Sequence, residues 1–473
     1  MIDKLGAKTF WTFVITSIAL VMVTLDNLVV TTAIPVIRKD LHASLESLEW
    51  TVNAYTLTFA VLLLTGAALG DRFGRRRLFV IGLAVFTGAS AFAALAPSIE
   101  VLNAARALQG VGGAIVTPLT LTILSAAVPA ERRGLALGAW GGIGGLAVAL
   151  GPVVGGAVVQ GISWQWIFWL NVPIGLVLIP LAWRRLEETR GANSSLDLRG
   201  LVLVSSGLLG IVWGLVRGNS VGWSSPEIVA ALAAGVLLVA LFVLWESRAD
   251  APMLPMRFFR NRTFALANLS SLFMFFGMFG SIFLLVQFFI SEQGYSPLQS
   301  GIRILPWTAM PLLFAPIAGA LYNRIGGGRI IGVGLTLQAA GLAWIATVST
   351  ATVPYSELIA AFFLAGTGMG LFFGAIPSLV LSSVRRQEEG QASGANNAIR
   401  ELGGVFGVAV LASIFAHYGG YRTAETFSTG MNAAVYVGAA VVALGALAAF
   451  LIPRQRKAQA EIAEARPAFE EAA

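Results

Sequence analysis

Asp26 stands in "LDNLVVTTAIP" (25–35), where an apolar run continues for about 11 more residues, or ~16 Å as a helix. A carboxylate at that depth in hydrocarbon is costly unless it is paired or faces water. Arg106, in "RALQG" (106–110), lies about 10 Å inside the end of its own run, within guanidinium reach of Asp26. Two active roles are open to the aspartate. It can take and release protons, with burial and Arg106 acting on its proton affinity in opposite senses, or it can meet a cationic substrate directly. A static Asp–Arg staple is the structural alternative.

A second charged pair, Arg400 and Glu401, sits in "NNAIRELGG". Adjacent helical positions point about 100° apart, so the two do not face each other. Glu401, about 15 Å from the end of its run, is a second candidate for proton coupling, with a structural ion pair as the other reading. Asn53, Tyr55, Gln287, Trp344, Asn396 and Asn397 are polar or aromatic groups inside apolar runs and candidate substrate contacts beside Asp26. Each is equally suited to joining helices. The Phe/Met run "SLFMFFGMFG" (271–280) suits an adaptable pocket, but most of it is expected to face lipid.

Other chemistries lack their residues. There is no cysteine, and the two histidines, His42 and His417, fall near helix ends, so no metal site is expected. Neither a Gly-x-Ser-x-Gly elbow nor a Gly-x4-Gly-Lys-Ser/Thr loop appears, which argues against an enzyme and against ATP as energy source. No cofactor is implied; a proton gradient is the expected driving force.

The elements that position these residues are long apolar helices. The chain has 473 residues, 57% of them hydrophobic and 12% charged, and a mean hydropathy of +0.80. Soluble proteins carry roughly a quarter charged residues. Fourteen spans are predicted, at 11–37, 47–69, 78–96, 99–125, 134–159, 166–183, 200–216, 226–245, 263–290, 300–322, 330–348, 356–381, 391–416 and 430–452. The fold class is therefore an all-α polytopic membrane protein. The N-terminal run is read as a retained first helix, because it has an internal Asp and no small-residue cleavage pattern.

An even number of spans puts both termini on one side. The loops on that side collect Lys4, Lys8, Arg72, Arg75, Arg76, Arg77, Arg132, Arg133, Arg184, Arg185 and most later arginines, whereas the other side and the helix interiors hold few. This asymmetry predicts cytoplasmic termini in a cell membrane. It also accounts for the net charge of +7 without a nucleic-acid partner.

An internal repeat relates the halves. "LGDRFGRRR" (69–77) returns as "LYNRIGGGR" (321–329), and "GVGG…VPAERRG" (110–134) as "GTGM…VRRQEEG" (366–390). The offset is about 252 residues at the first pair and about 256 at the second. The expected organisation is a six-helix bundle at 1–183, a linker with two extra helices at 184–262, a second bundle at 263–452 and a tail at 453–473. Two halves around a central cavity is a transporter architecture.

Several motifs resemble those of the major facilitator superfamily. "ALGDRFGRRR" (68–77) resembles its cytoplasmic loop motif, with Ala67 where glycine is usual, and "RALQG" resembles its fourth-helix motif. "GAWGGIGGLAVALGPVVGG" (138–156) resembles the antiporter motif of its fifth helix through Gly138, Gly151, Pro152, Gly155 and Gly156, with Ala147 replacing one glycine. "LDNLVVTTAIP" and "WQWIFWLNVPIG" (164–175) resemble motifs of the fourteen-helix drug:proton antiporter branch.

The resemblance implies two six-helix bundles plus two central helices, working by alternating access. It implies a conformational switch at Asp71, Arg72, Gly74 and Arg75, in which Asp71 docks on a helix N-terminus of the other half and latches the outward-facing state. A carboxylate so placed contributes about 0.3–1 kcal/mol, a size suited to a reversible latch. Asn323 stands at the repeat position, so the charged latch is one-sided. The implied function is proton-coupled efflux of hydrophobic, often cationic, small molecules such as drugs or antibiotics. The expected partners are substrate, protons and membrane lipid, and the protein is expected to be a monomer. A proton-symport uptake permease and a dedicated exporter of an endogenous metabolite are the alternatives.

Overall fold

The computed structural model describes residues 6–190, 197–250, 252–385 and 388–453, and everything described is helix or short connection. The expected tail beyond 453 lies outside the described residues. The first half comprises α1 (Ala7–Asp40), α2 (Leu45–Phe73), α3 (Arg75–Ala94), α4 (Ile99–Ala127), α5 (Ala130–Gly161) and the broken pair α6 (Trp166–Trp169) and α7 (Asn171–Arg185). Two helices follow, α8 (Leu198–Val221) and α9 (Pro226–Glu246). The second half comprises α10 (Arg262–Gln287), α11 (Pro297–Thr308), α12 (Met310–Ile325), α13 (Gly327–Val348), α14 (Tyr355–Leu381), α15 (Glu389–Tyr418) and α16 (Ala424–Phe450).

Among the described residues, twelve helical segments are long and apolar enough to cross a membrane, or thirteen if α2 is counted as one span. The α2 helix bends by 50° between Leu45–Leu63 and Thr65–Phe73. Beside the bend, a Cβ on Gly66 would stand 2.9 Å from the Ile115 Cα, so glycine lets α2 press onto α4 there. The span expected at 300–322 is two helices meeting at Ala309, where Pro311 in the first turn of α12 has no N–H to continue the ladder.

The arginine-rich loops gather at one end of the helices, here the basic end; the opposite one is the far end. At the basic end Gly74, at φ +112°, turns α2 into α3, a left-handed conformation that glycine adopts without strain. Helix starts repeat across the halves. Ser44 caps α2 and Ser296 caps α11, each hydroxyl accepting the N–H three residues on.

The Phe/Met run corrects an expectation. Ser271, Met274, Phe275, Phe276, Met278 and Phe279 are buried among helices rather than turned to lipid. Hydropathy alone does not distinguish these fates, because lipid tails and a packed protein interior are equally apolar.

Candidate functional site

Asp26 and Arg106 meet in the interior of the first half, both 0% exposed. Arg106 Nη1 donates to Asp26 Oδ2 at 2.5 Å and to Gln109 Oε1 at 2.9 Å, while Nε donates to the Thr51 carbonyl at 3.1 Å. Its guanidinium lies 4.2 Å over the Tyr55 ring, a favourable cation–π placement. The other carboxylate oxygen of Asp26 accepts from Asn171 Nδ2 at 2.7 Å and Gln109 Nε2 at 3.1 Å. Both amides also donate to the Ser90 hydroxyl oxygen, at 3.3 Å from Asn171 and 2.7 Å from Gln109.

Five helices thus converge on one carboxylate: α1 supplies Asp26, α2 Thr51 and Tyr55, α3 Ser90, α4 Arg106 and Gln109, and α7 Asn171. Every described neighbour bonded to Asp26 is an N–H donor, so the site presents the carboxylate with three donors and no competing acceptor.

Sequence reasoning paired Asp26 with Arg106 but missed Gln109, Asn171 and Ser90. Gln109 lies in "RALQG" and Asn171 in "WLNVPIG", but neither motif says which side chain these amides meet, and Ser90 lies in no motif. Of the expected substrate contacts, Tyr55 is buried, donating its hydroxyl to the Val23 carbonyl at 3.3 Å. Asn53 is buried with neither amide atom hydrogen-bonded among the described residues. Gln287 is buried near the far end, where Nε2 donates to the Phe283 carbonyl and Oε1 accepts from Tyr421. Trp344 is 44% exposed on the outer surface of α13, away from the other candidates.

Arg400 and Glu401 do not pair with each other, as their spacing predicts. Arg400 Nη1 donates to Asn397 Oδ1 at 3.0 Å, and its guanidinium lies 4.4 Å over Phe275. Glu401 Oε2 is buried without a hydrogen-bond partner among the described residues. Asn396, one residue before Asn397, instead joins α15 to α10 through Asn268 and Ser271, both at 3.0 Å.

At the basic end, Asp71 accepts from Arg75 Nε at 2.7 Å within its own loop. Arg72 stands over Phe73 at 5.3 Å. The strap after α7 closes on the same loop: Glu188 accepts the Arg76 backbone N–H at 3.0 Å, and the Arg75 N–H donates to the Thr189 carbonyl at 2.9 Å.

The glycines of α5 serve two contacts. A Cβ on Gly151 would stand 2.6 Å from Leu28 Cβ, and one on Gly155 2.7 Å from the Val29 carbonyl, so both press α5 onto α1. A Cβ on Gly156 would lie 2.6 Å from Leu298 Cα in the second half, and one on Gly301 3.0 Å from Val153 Cα. The halves therefore meet backbone to backbone at the far end. Gly138, also in α5, lies nearer the basic end than this crossing.

A polytopic helical protein with a neutralised charge centre buried in one half, and glycine-mediated contact between halves, is a membrane transporter in architecture. The family model of the Major Facilitator Superfamily matches residues 16–408 and again 269–472. The chain belongs to the major facilitator superfamily. It is 34% identical to the tetracenomycin C resistance and export protein of Streptomyces glaucescens, over 87% of this chain and 77% of that one. It is 32% identical to the methylenomycin A resistance protein of Bacillus subtilis, over 91% and 92%, and 33% identical to the multidrug resistance protein Stp of Mycobacterium tuberculosis, over 86% and 75%. The human organic anion transporter MFSD10 (TETRAN) shares the fold, with a TM-score of 0.64 at 15% identity over 93% of this chain and 99% of that one.

Proposed function

We propose that this protein is an efflux transporter that exports hydrophobic small molecules of the drug or antibiotic kind in exchange for protons, by alternating access. The resistance and export proteins it resembles along most of its length support the direction and the substrate class. The single observation behind proton coupling is the Asp26 carboxylate, buried and matched by three N–H donors including Arg106. Burying an acid in the membrane is expensive, and such groups mark ion pathways. Glu401, whose Oε2 is buried without a hydrogen-bond partner among the described residues, is the second coupling candidate.

In this reading α5 completes fourteen spans, arranged as two six-helix bundles with α8 and α9 between them. The basic end faces the cytoplasm of a cell membrane, and the far end, closed by the α5–α11 contact, faces outward. The state is then inward-facing, which fits Asp71 being held by Arg75 in its own loop.

Everted vesicles containing the Asp26→Asn variant, energised by a pH gradient, test the assignment with ethidium as the probe. Export is expected to fall to the level of empty vesicles while the variant inserts normally. Undiminished ethidium-induced proton release would assign Asp26 the role of a static staple instead.

A further inference from the structure

The pair α8 and α9 has no counterpart in the repeat, and its place in the structure gives it a task. The apolar face of α8 (Leu208, Val212 and Val216) packs against Leu57 and Val61 of α2 and Val405 and Ala409 of α15. It thus lies along the seam where the two halves meet. At the far end its last turn carries polar side chains to both halves. Asn219 Nδ2 donates to the Ser413 carbonyl at 2.5 Å and to its hydroxyl at 3.0 Å, fixing α8 to α15. One residue on, the Ser220 hydroxyl donates to Glu46 Oε2 of α2 at 2.9 Å. Arg217 Nε stands 3.5 Å from the same carboxylate, and Arg217 Nη1 3.4 Å from Glu227 of α9.

The two attachments differ in kind. The bond to α15 is partly buried, joins uncharged groups and reaches main chain as well as side chain, so salt screens it little. The polar attachment to α2, made in addition to the Leu57 and Val61 packing, is an ion pair with Arg217 and Glu46 at 30% and 32% exposure, and a second acid, Glu227, competes for the same arginine. Exposed pairs of this sort are weak and easily broken.

We propose that α8 is a strap across the far end of the transporter, carried permanently by α15 and fastened reversibly to α2 through Glu46. It holds the far end closed and is released each time that end opens. The proposal rests on the alternating-access reading above.

The native chain has no cysteine, so two double substitutions test the strap directly. They are Asn219→Cys with Ser413→Cys, and Glu46→Cys with Ser220→Cys. Each is bridged in membranes by a short bifunctional thiosulfonate, which dithiothreitol reverses. Bridging 46 to 220 is expected to cut ethidium export at least about tenfold, with recovery on reduction, whereas bridging 219 to 413 leaves it within about twofold. The 219–413 pair is also expected to bridge several times faster, because its contact persists through the cycle.

Equal bridging rates, the opposite order, or comparable effects of the two bridges on export each overturn the strap. If the unsubstituted chain exports no ethidium or other drug, the exporter reading fails by itself. The strap is then decided by the bridging rates alone.

Discussion

Arg106 holds its site by shape as well as charge. Its Nε bonds the Thr51 carbonyl of α2 while Nη1 bonds Asp26 of α1 and its flat face covers Tyr55. A lysine carries a point charge on a flexible stem and cannot make the bonds to Thr51 and Asp26 together with the ring contact. Arg106→Lys should keep Asp26 neutralised and the protein inserted, yet lower proton-driven export at least about tenfold; export near the native rate would show that charge alone suffices. Arg106→Leu is harsher, because it strands a buried carboxylate at a cost of about 3–5 kcal/mol. Thermal unfolding in detergent should show that loss, and the Asp26→Asn, Arg106→Leu double variant should recover much of it. Strictly additive losses would mean the pair is not coupled. The pairing was legible in the sequence because both residues interrupt apolar runs at compatible depths. Gln109, Asn171 and Ser90 were not, since an uncharged polar residue inside an apolar run gains meaning only when a partner folds against it.

At the scale of helices, the glycine pattern of α5 announced close packing without saying against what. Gly151 and Gly155 serve α1, in the same half, whereas Gly156 serves α11, in the other. Gly156→Val should therefore act on the opening and closing of the far end. Overpacking at such a contact costs about 1–3 kcal/mol. Export should fall severalfold while the melting temperature of the variant changes little, because the helices within each half remain packed. Gly155→Val, pressed against the Val29 carbonyl within one half, should instead lower the melting temperature. The reverse assignment of the two effects would contradict the division. Long helices and their repeat were readable from hydropathy, and the matching serine caps of α2 and α11 carry the same register. The break at Ala309 was not readable, because the segment stays apolar across it. The outward placement of Trp344 was hidden for a related reason, since an aromatic suits a lipid-facing surface as well as a cavity.

Across the whole molecule the two halves share a register but not a chemistry. Tyr55 corresponds to Trp307 and Arg106 to Phe362, and where the first pair makes a cation–π contact the second stacks ring on ring at 6.3 Å. The Asp26–Arg106 centre is thus built into the first half only, and aromatic rings fill its repeat position in the second half. Another far-end link between the halves is Arg38 of α1, whose guanidinium lies 3.4 Å over the ring of Tyr421 in the loop before α16. Burial pushes the Tyr421 phenol well above its ordinary range; Arg38 opposes this, while Glu49 and Glu292 reinforce it. The ring therefore stays neutral at physiological pH, and its hydroxyl remains able to donate to Gln287. A cation–π contact of this kind contributes about 0.5–2 kcal/mol, enough to shift a two-state equilibrium roughly 2- to 30-fold. Tyr421→Leu keeps apolar bulk but removes both the ring and the hydroxyl, so it should enrich the far-end-open state by that factor. Spin labels on Leu41→Cys and Thr423→Cys, in the otherwise cysteine-free chain, would report it as growth of the longer-distance population. A distance distribution that matches the one with Tyr421 intact would mean that the α5–α11 contact and the α8 strap hold the far end without this clasp.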